Sequence, residues 1–164
     1  MPKTSTATVL LGAAACVGLV HAGFSLYWAL GGRRLLPTVG EWAVVYAREA
    51  PLSAALLLLV VTAVKAVLAL TPFLVVRKGQ ALPRSWRLLG WLSAVVLVGY
   101  GAANTVTAWL VLGGALRPEG GYDRPAMVGH AYLWDPLFLV WGLLLGAGLW
   151  VSRPSVQPRP ARRR

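Results

Sequence analysis

The chain has 164 residues, of which 57% are hydrophobic and only 13% are charged, and its mean hydropathy is +0.65. A soluble domain of this length leaves roughly a third of its surface in water and has too little interior for so much apolar material, while a disordered chain carries less of it, so the composition indicates an integral membrane protein. The net charge of +11 taken alone would also fit a nucleic-acid-binding protein, and the positions of the charges decide between the two interpretations.

Four apolar stretches are long enough to cross a bilayer as α-helices. Spanning the hydrocarbon core of about 30 Å takes about 20 residues in a helix, and a helix satisfies its backbone polar groups internally where lipid cannot. The sequence predicts spans over residues 7–30, 52–76, 88–112 and 130–151. The fold class is therefore an all-α membrane protein, with one bundle of four transmembrane helices formed by residues 1–152.

Lysine and arginine are distributed unevenly between the two sides of this predicted bundle. The side with the N-terminus, the second loop and the C-terminal tail holds ten basic residues and no acid. The side with the first and third loops holds five basic residues and four of the five acids. Because basic loops stay in the cytoplasm, we predict a multi-pass protein with both termini cytoplasmic. The charge then reflects orientation and contact with anionic lipid, and we predict no nucleic-acid partner.

The first outer loop carries the pattern of a short helix. Thr38 and Glu41 fit a capping box, in which Thr38 is the N-cap and Glu41 reaches back to it. Apolar residues then recur on one face, so we predict an interfacial helix over residues 39–49. The segment 153–164 holds three prolines and five arginines, which predicts a disordered basic cytoplasmic tail.

The fourth span contains a G-x-x-x-G pair, Gly142 and Gly146. Small residues let membrane helices approach closely, because lipid provides no hydrophobic drive for their association. We favour contact between helices of one bundle as the use of this pair. Formation of a homo-oligomer through Gly142 and Gly146 is the competing interpretation.

Lys65 is the most informative polar residue, because it lies near the middle of the second span. A charge at the bilayer centre costs at least about 2.5 kcal/mol, so the side chain should face the bundle and find an acceptor or be neutral. Candidate partners lie in the outer half of the other spans. We predict an outward-facing polar pocket around Lys65 that binds a small molecule or a lipid headgroup. Its other candidate residues are His21, Ser25, Tyr100, Asn104, His130 and Asp135.

Asp135 also has a purely structural interpretation. Asp is a favoured N-cap and Pro a favoured first helical residue, so Asp135-Pro136 would begin the fourth helix at Pro136. His21 and Asn104 are each more typical of hydrogen bonds between helices than of catalysis. We predict no cofactor, metal site or catalytic residue, because the chain has no phosphate-binding glycine motif, no paired metal-ligand spacing and no cysteine cluster.

Three segments resemble a known family: residues 21–32 (HAGFSLYWALGG), residues 38–40 (TVG) and residues 130–142 (HAYLWDPLFLVWG). The chain resembles small bacterial membrane proteins of about 150 residues with four helices, classed as a domain of unknown function. The resemblance covers roughly residues 12–151 and implies the four-helix architecture and no particular activity. Together with the excess of arginine over lysine, it predicts a bacterial inner-membrane protein.

Three functions compete at this stage. The first is binding or transport of a small molecule or lipid headgroup at Lys65. The second is a structural subunit or helix-packing partner of a membrane complex. The third is an intramembrane enzyme acting on a lipid or isoprenoid-like substrate, with Lys65, His21 or Asp135 as acid or base. Four helices without an internal repeat are few for an alternating-access transporter, so transport would require oligomers.

Overall fold

The computed structural model describes residues 2–152, with side chains from residue 6 onward, and it is all-helical over that range. Four helices are long and apolar enough to cross a membrane, one of them in two pieces. The helices are α1 (Pro2–Ala29), α2 (Glu41–Glu49), α3 (Pro51–Arg77), α4 (Arg84–Leu112), α5 (Arg124–Tyr132) and α6 (Trp134–Val151). The predicted all-α class and the four-helix membrane architecture are confirmed. The predicted tail, residues 153–164, lies outside the described residues.

The bundle has two ends, which we name by what they hold. The proximal end holds the α3–α4 loop and the two ends of the described chain, and the distal end holds the loops over residues 30–50 and 113–123. The long helices lie in the order α3, α1, α6, α4. Helix α1 packs between α3 and α6, and α6 packs against α4, whereas α3 and α4 hardly touch.

The core lies along α1 and α6 and is built from small and large apolar residues in alternation. Leu11 and Ala14 of α1 face Trp141 and Leu149 of α6, all at most 2% exposed. Gly18 lies at a close approach of three helices, because a Cβ there would lie 2.7 Å from both Ala69 of α3 and the Trp141 ring of α6. Small residues thus let α1 fit between two neighbours, as the absence of a hydrophobic drive in lipid requires.

Gly142 packs against α4 of the same chain. A Cβ at Gly142 would lie 2.8 Å from Val98 and 2.9 Å from Leu97, so this glycine lets α4 and α6 approach. Gly146 is less confined, because its nearest neighbours would be 3.7 Å from a Cβ. Homo-oligomer formation through the pair stays a prediction.

The short helix in the first loop exists, but the predicted capping box does not. Helix α2 begins at Glu41, and its N-cap is Gly40, which makes no side-chain cap. Thr38 belongs to a preceding 3-10 turn (Leu36–Thr38), where its hydroxyl donates to the Leu35 carbonyl and accepts from Trp134 Nε1 at 3.0 Å. The hydroxyl that would have capped α2 instead ties the loop to the start of α6.

The third loop contains α5, a helix that the sequence patterns did not predict. Asp123 is its N-cap and accepts a hydrogen bond from the Ala126 amide at 3.1 Å. The second oxygen of the same carboxylate accepts from the Glu41 amide at 2.8 Å. One side chain therefore binds free backbone donors at the starts of both distal helices, α2 and α5, where a negative charge is favoured.

The predicted start of the fourth span is also corrected. Helix α6 begins at Trp134 rather than Pro136, and Leu133, with φ −129° and ψ −70°, separates it from α5. Asp135 therefore lies inside the first turn, and it does not cap the helix. The break at Leu133 turns the chain so that α5 covers the distal end of α4 and α6, which places His130 beside Asp135.

At the proximal end, Arg87 caps the carboxyl end of α6. Its guanidinium donates to the carbonyls of Leu149 and Ser152, both at 3.0 Å. Replacing Arg87 by methionine keeps an apolar stem but loses both charge-assisted bonds, so we expect the free energy of unfolding to fall by about 1.5–3 kcal/mol. Unfolding by denaturant in mixed micelles measures this free energy for the parent and for the Arg87→Met variant. The matched control is Arg84→Met in the same turn, whose side chain is exposed, and an equal loss in both variants would contradict the capping role.

Candidate functional site

Lys65 lies at the interface of α3 and α1, where two polar side chains of α1 meet it. Its Nζ donates to Ser25 Oγ at 2.9 Å and lies 3.0 Å from His21 Nδ1. His21 and Ser25 are one turn apart, and the Ser25 hydroxyl donates in turn to the His21 carbonyl at 3.4 Å. Because residues i and i+4 share a helix face, the two side chains form a pair of acceptors for one amine.

The depth of this cluster follows from the helix geometry. Lys65 is fourteen residues beyond Pro51 in a helix of 27 residues, so its Cα lies about 21 Å from the distal end of α3. Lysine side chains in a helix lean toward the helix N-terminus, which here is the distal end. The amine is therefore half-buried inside the bundle, near the middle of the candidate span Pro51–Arg77.

An aromatic wall from α6 closes the other side of the cluster. The Phe138 ring stacks on the His21 imidazole with 4.0 Å between centroids, and Lys65 Nζ lies 5.7 Å from the same ring. Trp134, one turn earlier, contacts His21 at 5.7 Å between centroids. The wall fixes the orientation of the imidazole. A cation over a ring face is stabilised by about 0.5–2 kcal/mol.

Two properties of the cluster stand out chemically. His21 is 5% exposed, and within the described residues its Nε2 atom has no hydrogen-bond partner. No carboxylate of the described residues lies within 4 Å of the Lys65 amine. The ion pairs found among these residues are Arg48–Glu49 and His130–Asp135. The cluster thus holds a basic amine whose partners are both neutral or basic, beside an unused imidazole nitrogen.

The other proposed pocket residues on α4 do not join Lys65. Tyr100 is 52% exposed and touches the cluster only through Phe138, against whose ring it packs edge-on at 5.8 Å. Asn104 is half-buried and contacts neither Lys65 nor His21 through a hydrogen bond among the described side chains. The reason is the helix order, since α6 lies between α1 and α4.

His130 and Asp135 form a second polar cluster at the distal end. His130 Nδ1 lies 2.7 Å from Asp135 Oδ2, and its Nε2 lies 3.3 Å from the Val39 carbonyl. Both partners are acceptors, so the imidazolium form satisfies both contacts. Asp135 is only 1% exposed, which makes it a buried carboxylate paired to one imidazole. This pair joins α5, α6 and the first loop, and the residue before Asp135, Trp134, contacts His21.

Neither cluster has the set of donor side chains that a metal site needs. No three His, Cys, Asp or Glu side chains within the described range lie close enough together to hold a metal ion. The cluster around Lys65 can bind, and an amine beside an imidazole can also exchange protons. Sequence reasoning missed Phe138 and Trp134 as site residues. Their spacing of four at the start of the last span was the available signal.

The four long apolar helices and the polar cluster between them define a multi-pass membrane protein with a half-buried lysine within a span. The family model described as "Protein of unknown function (DUF3995)" matches residues 18–145, which include every residue of both clusters. The chain therefore belongs to this family, which confirms the resemblance to a domain of unknown function. No curated protein and no solved structure matches the chain.

Proposed function

We propose that the protein binds the anionic group of a small molecule or lipid headgroup at Lys65. The observation that carries this proposal is a mid-membrane amine with Ser25 and His21 as partners and no carboxylate within 4 Å in the described chain. An uncompensated charge at this depth costs at least about 2.5 kcal/mol. A bound anion would offset that cost, because an opposite charge in a medium of low dielectric constant attracts strongly.

The tautomer of His21 supports the same conclusion. A charged lysine amine has three donors and no acceptor, so His21 Nδ1 must accept from it and the ring proton must lie on Nε2. That N–H is buried and has no acceptor within the described residues. His21 thus meets Lys65 as a neutral acceptor and supplies no countercharge, and Lys65, which has three donors and two protein partners, keeps one N–H for an anionic ligand.

We further propose that the protein resides in the cytoplasmic membrane of a bacterium with both termini inside. The support comes from the sequence, in which the N-terminus, the second loop and the C-terminal segment carry ten basic residues and no acid, whereas the first and third loops carry five basic residues and four acids. With this orientation the distal end faces outward, and a ligand would reach Lys65 from the outer half of the membrane.

Replacing Lys65 by methionine separates binding from folding. We expect the variant to be at least as stable as the parent, because the change removes an uncompensated cation and keeps an apolar stem. Binding of an anionic lipid should weaken at least about fivefold, since loss of one charge-assisted contact exceeds about 1 kcal/mol. The dissociation constant is measured by titrating a short-chain phosphatidylglycerol into protein held in phosphatidylcholine nanodiscs.

The matched control is Lys78→Met, which removes an exposed lysine at the proximal end of the same helix. Its affinity for phosphatidylglycerol should equal that of the parent. Equal affinities in all three proteins would overturn the proposal and favour the structural-subunit alternative. Turnover of a lipid substrate that disappears with Lys65→Met would instead favour the enzyme alternative.

A further inference from the structure

A pocket of about 280 Å³ lies at the distal end of the same α1–α3 interface. Its walls come from the end of α1, from α2 and from the start of α3. They include Trp28, Arg33, Ala47, Ala54 and Leu58. The pocket is thus separate from the Lys65 cluster in its lining residues, but it lies in the same groove between the same two long helices.

The spacing along both helices places this pocket directly above Lys65. On α1, Ser25 contacts the lysine amine, and Ala29, one turn or about 6 Å further, lines the pocket. On α3, Leu58 lines the pocket, and Thr62 and Lys65 follow on the same face. Because the lysine side chain leans toward the distal end, its amine lies roughly one helical turn below the pocket floor.

Arg33 gives the pocket a second cation. Its Nη2 donates to the Ala47 carbonyl at 3.2 Å, which fixes the guanidinium between the first loop and α2. The group has five N–H donors, so most remain for another acceptor, and no carboxylate within the described residues lies within 4 Å of it. The groove therefore carries a cation at its mouth and a cation beneath its floor, both without an acidic partner.

We propose that this pocket holds a phosphate-bearing group, which enters from the distal end between Arg33 and Lys65. The inference rests on the proposed function, because Lys65 is the lower of the two cations. Phosphate oxygens point in several directions and accept from donors above and below, and the planar guanidinium fork of arginine matches them well. A carboxylate also binds the guanidinium fork, but it lacks the further oxygens that a phosphate can direct to the opposite side.

The size of the pocket favours a small headgroup over a whole lipid. At about 30 Å³ per water molecule, 280 Å³ holds about nine waters, which is below the range of about 300–1,000 Å³ for typical ligand sites. A phosphate with a few attached carbons fills such a space. The phosphate comes either from a phospholipid headgroup or from a soluble phosphoester, and the two sources share the same recognition chemistry.

The test compares Arg33→Gln with Arg34→Gln, its neighbour, whose side chain does not line the pocket. Ala47→Leu on α2 is a second variant, which fills the pocket without touching the long-helix core. Dissociation constants are measured in phosphatidylcholine nanodiscs for short-chain phosphatidylglycerol and for glycerol phosphate. Circular dichroism and gel filtration establish that each variant folds.

We expect Arg33→Gln and Ala47→Leu each to weaken binding about five- to tenfold, and Arg34→Gln to leave it unchanged. Binding of glycerol phosphate at the same site identifies a soluble ligand, and binding of phosphatidylglycerol alone identifies a lipid; both support the proposal. If both pocket variants bind like the parent while Lys65→Met loses binding, the phosphate pocket is wrong and the proposed function stands. If Lys65→Met also binds like the parent, or the parent binds neither probe, both proposals fail.

Discussion

Gly101→Ala is expected to lower the free energy of unfolding by about 2–3 kcal/mol, although it adds a single methyl group. A Cβ at this position would lie 2.6 Å from the Asp135 carbonyl oxygen and 2.6 Å from the Leu139 amide nitrogen. Both obstacles are backbone atoms, which cannot yield as a flexible side chain does. Helices α4 and α6 must therefore separate, and close packing between helices is what stabilises a bundle in lipid.

Gly99 supplies the matched control, two residues earlier in the same helix. A Cβ there would have nothing within 4 Å. Since alanine is the better helix former by about 0.5–1 kcal/mol, Gly99→Ala should leave the protein unchanged or slightly more stable. Reversible unfolding in mixed micelles compares both variants with the parent. A similar loss in both would mean that α4 and α6 do not approach each other closely at Gly101.

The spans could be predicted because their signals are local. Apolar length sets the four long helices, and Pro51 and Gly113 set ends that agree with the structure. The prediction for α4 began at residue 88, whereas the helix begins at Arg84. Arginine side chains extend to the water interface, and Arg87 binds α6 carbonyls, so the helix continues beyond the apolar stretch.

The caps were predicted wrongly because the same side chains bind partners outside the helix that each was expected to cap. Thr38 and Asp135 both occur in patterns typical of helix starts, yet Thr38 binds Trp134 and Asp135 binds His130. A local pattern gives the capacity of a side chain to accept a hydrogen bond, and the tertiary fold decides which donor reaches it. Asp123 does cap α5, but this helix was not predicted, because its apolar residues show no clear helical periodicity.

For the site residues, too, part of the arrangement could be predicted from spacing along each helix and part depends on how the helices pack. Depth and helix face, both readable from spacing, made His21 and Ser25 candidate partners of Lys65, and they meet it because α1 and α3 are neighbours in the bundle. Tyr100 lies at a comparable depth, yet it is half exposed and meets the cluster only through Phe138. Which helices are neighbours depends on packing between residues far apart in the chain, such as Gly18 against Trp141. No periodicity within one helix contains that information.

His130→Leu is expected to cost about 3 kcal/mol or more of unfolding free energy, because it leaves the Asp135 carboxylate buried without its partner. Asp135 is 1% exposed, and His130 Nδ1 at 2.7 Å is the side-chain donor that it has in the described chain. Breaking a buried ion pair from one side typically costs about 3–5 kcal/mol, because the remaining charge is uncompensated. The variant also loses the contact with the Val39 carbonyl.

A double-mutant cycle distinguishes this pair from ordinary packing. Asp135→Ala alone should cost less than His130→Leu, because the imidazole that remains is partly exposed and loses its charge readily. The double variant should recover part of the loss of His130→Leu, since no buried charge is left unpaired. If the two single losses simply add in the double variant, the residues do not interact, and the distal end is held by Asp123 and Trp134 instead.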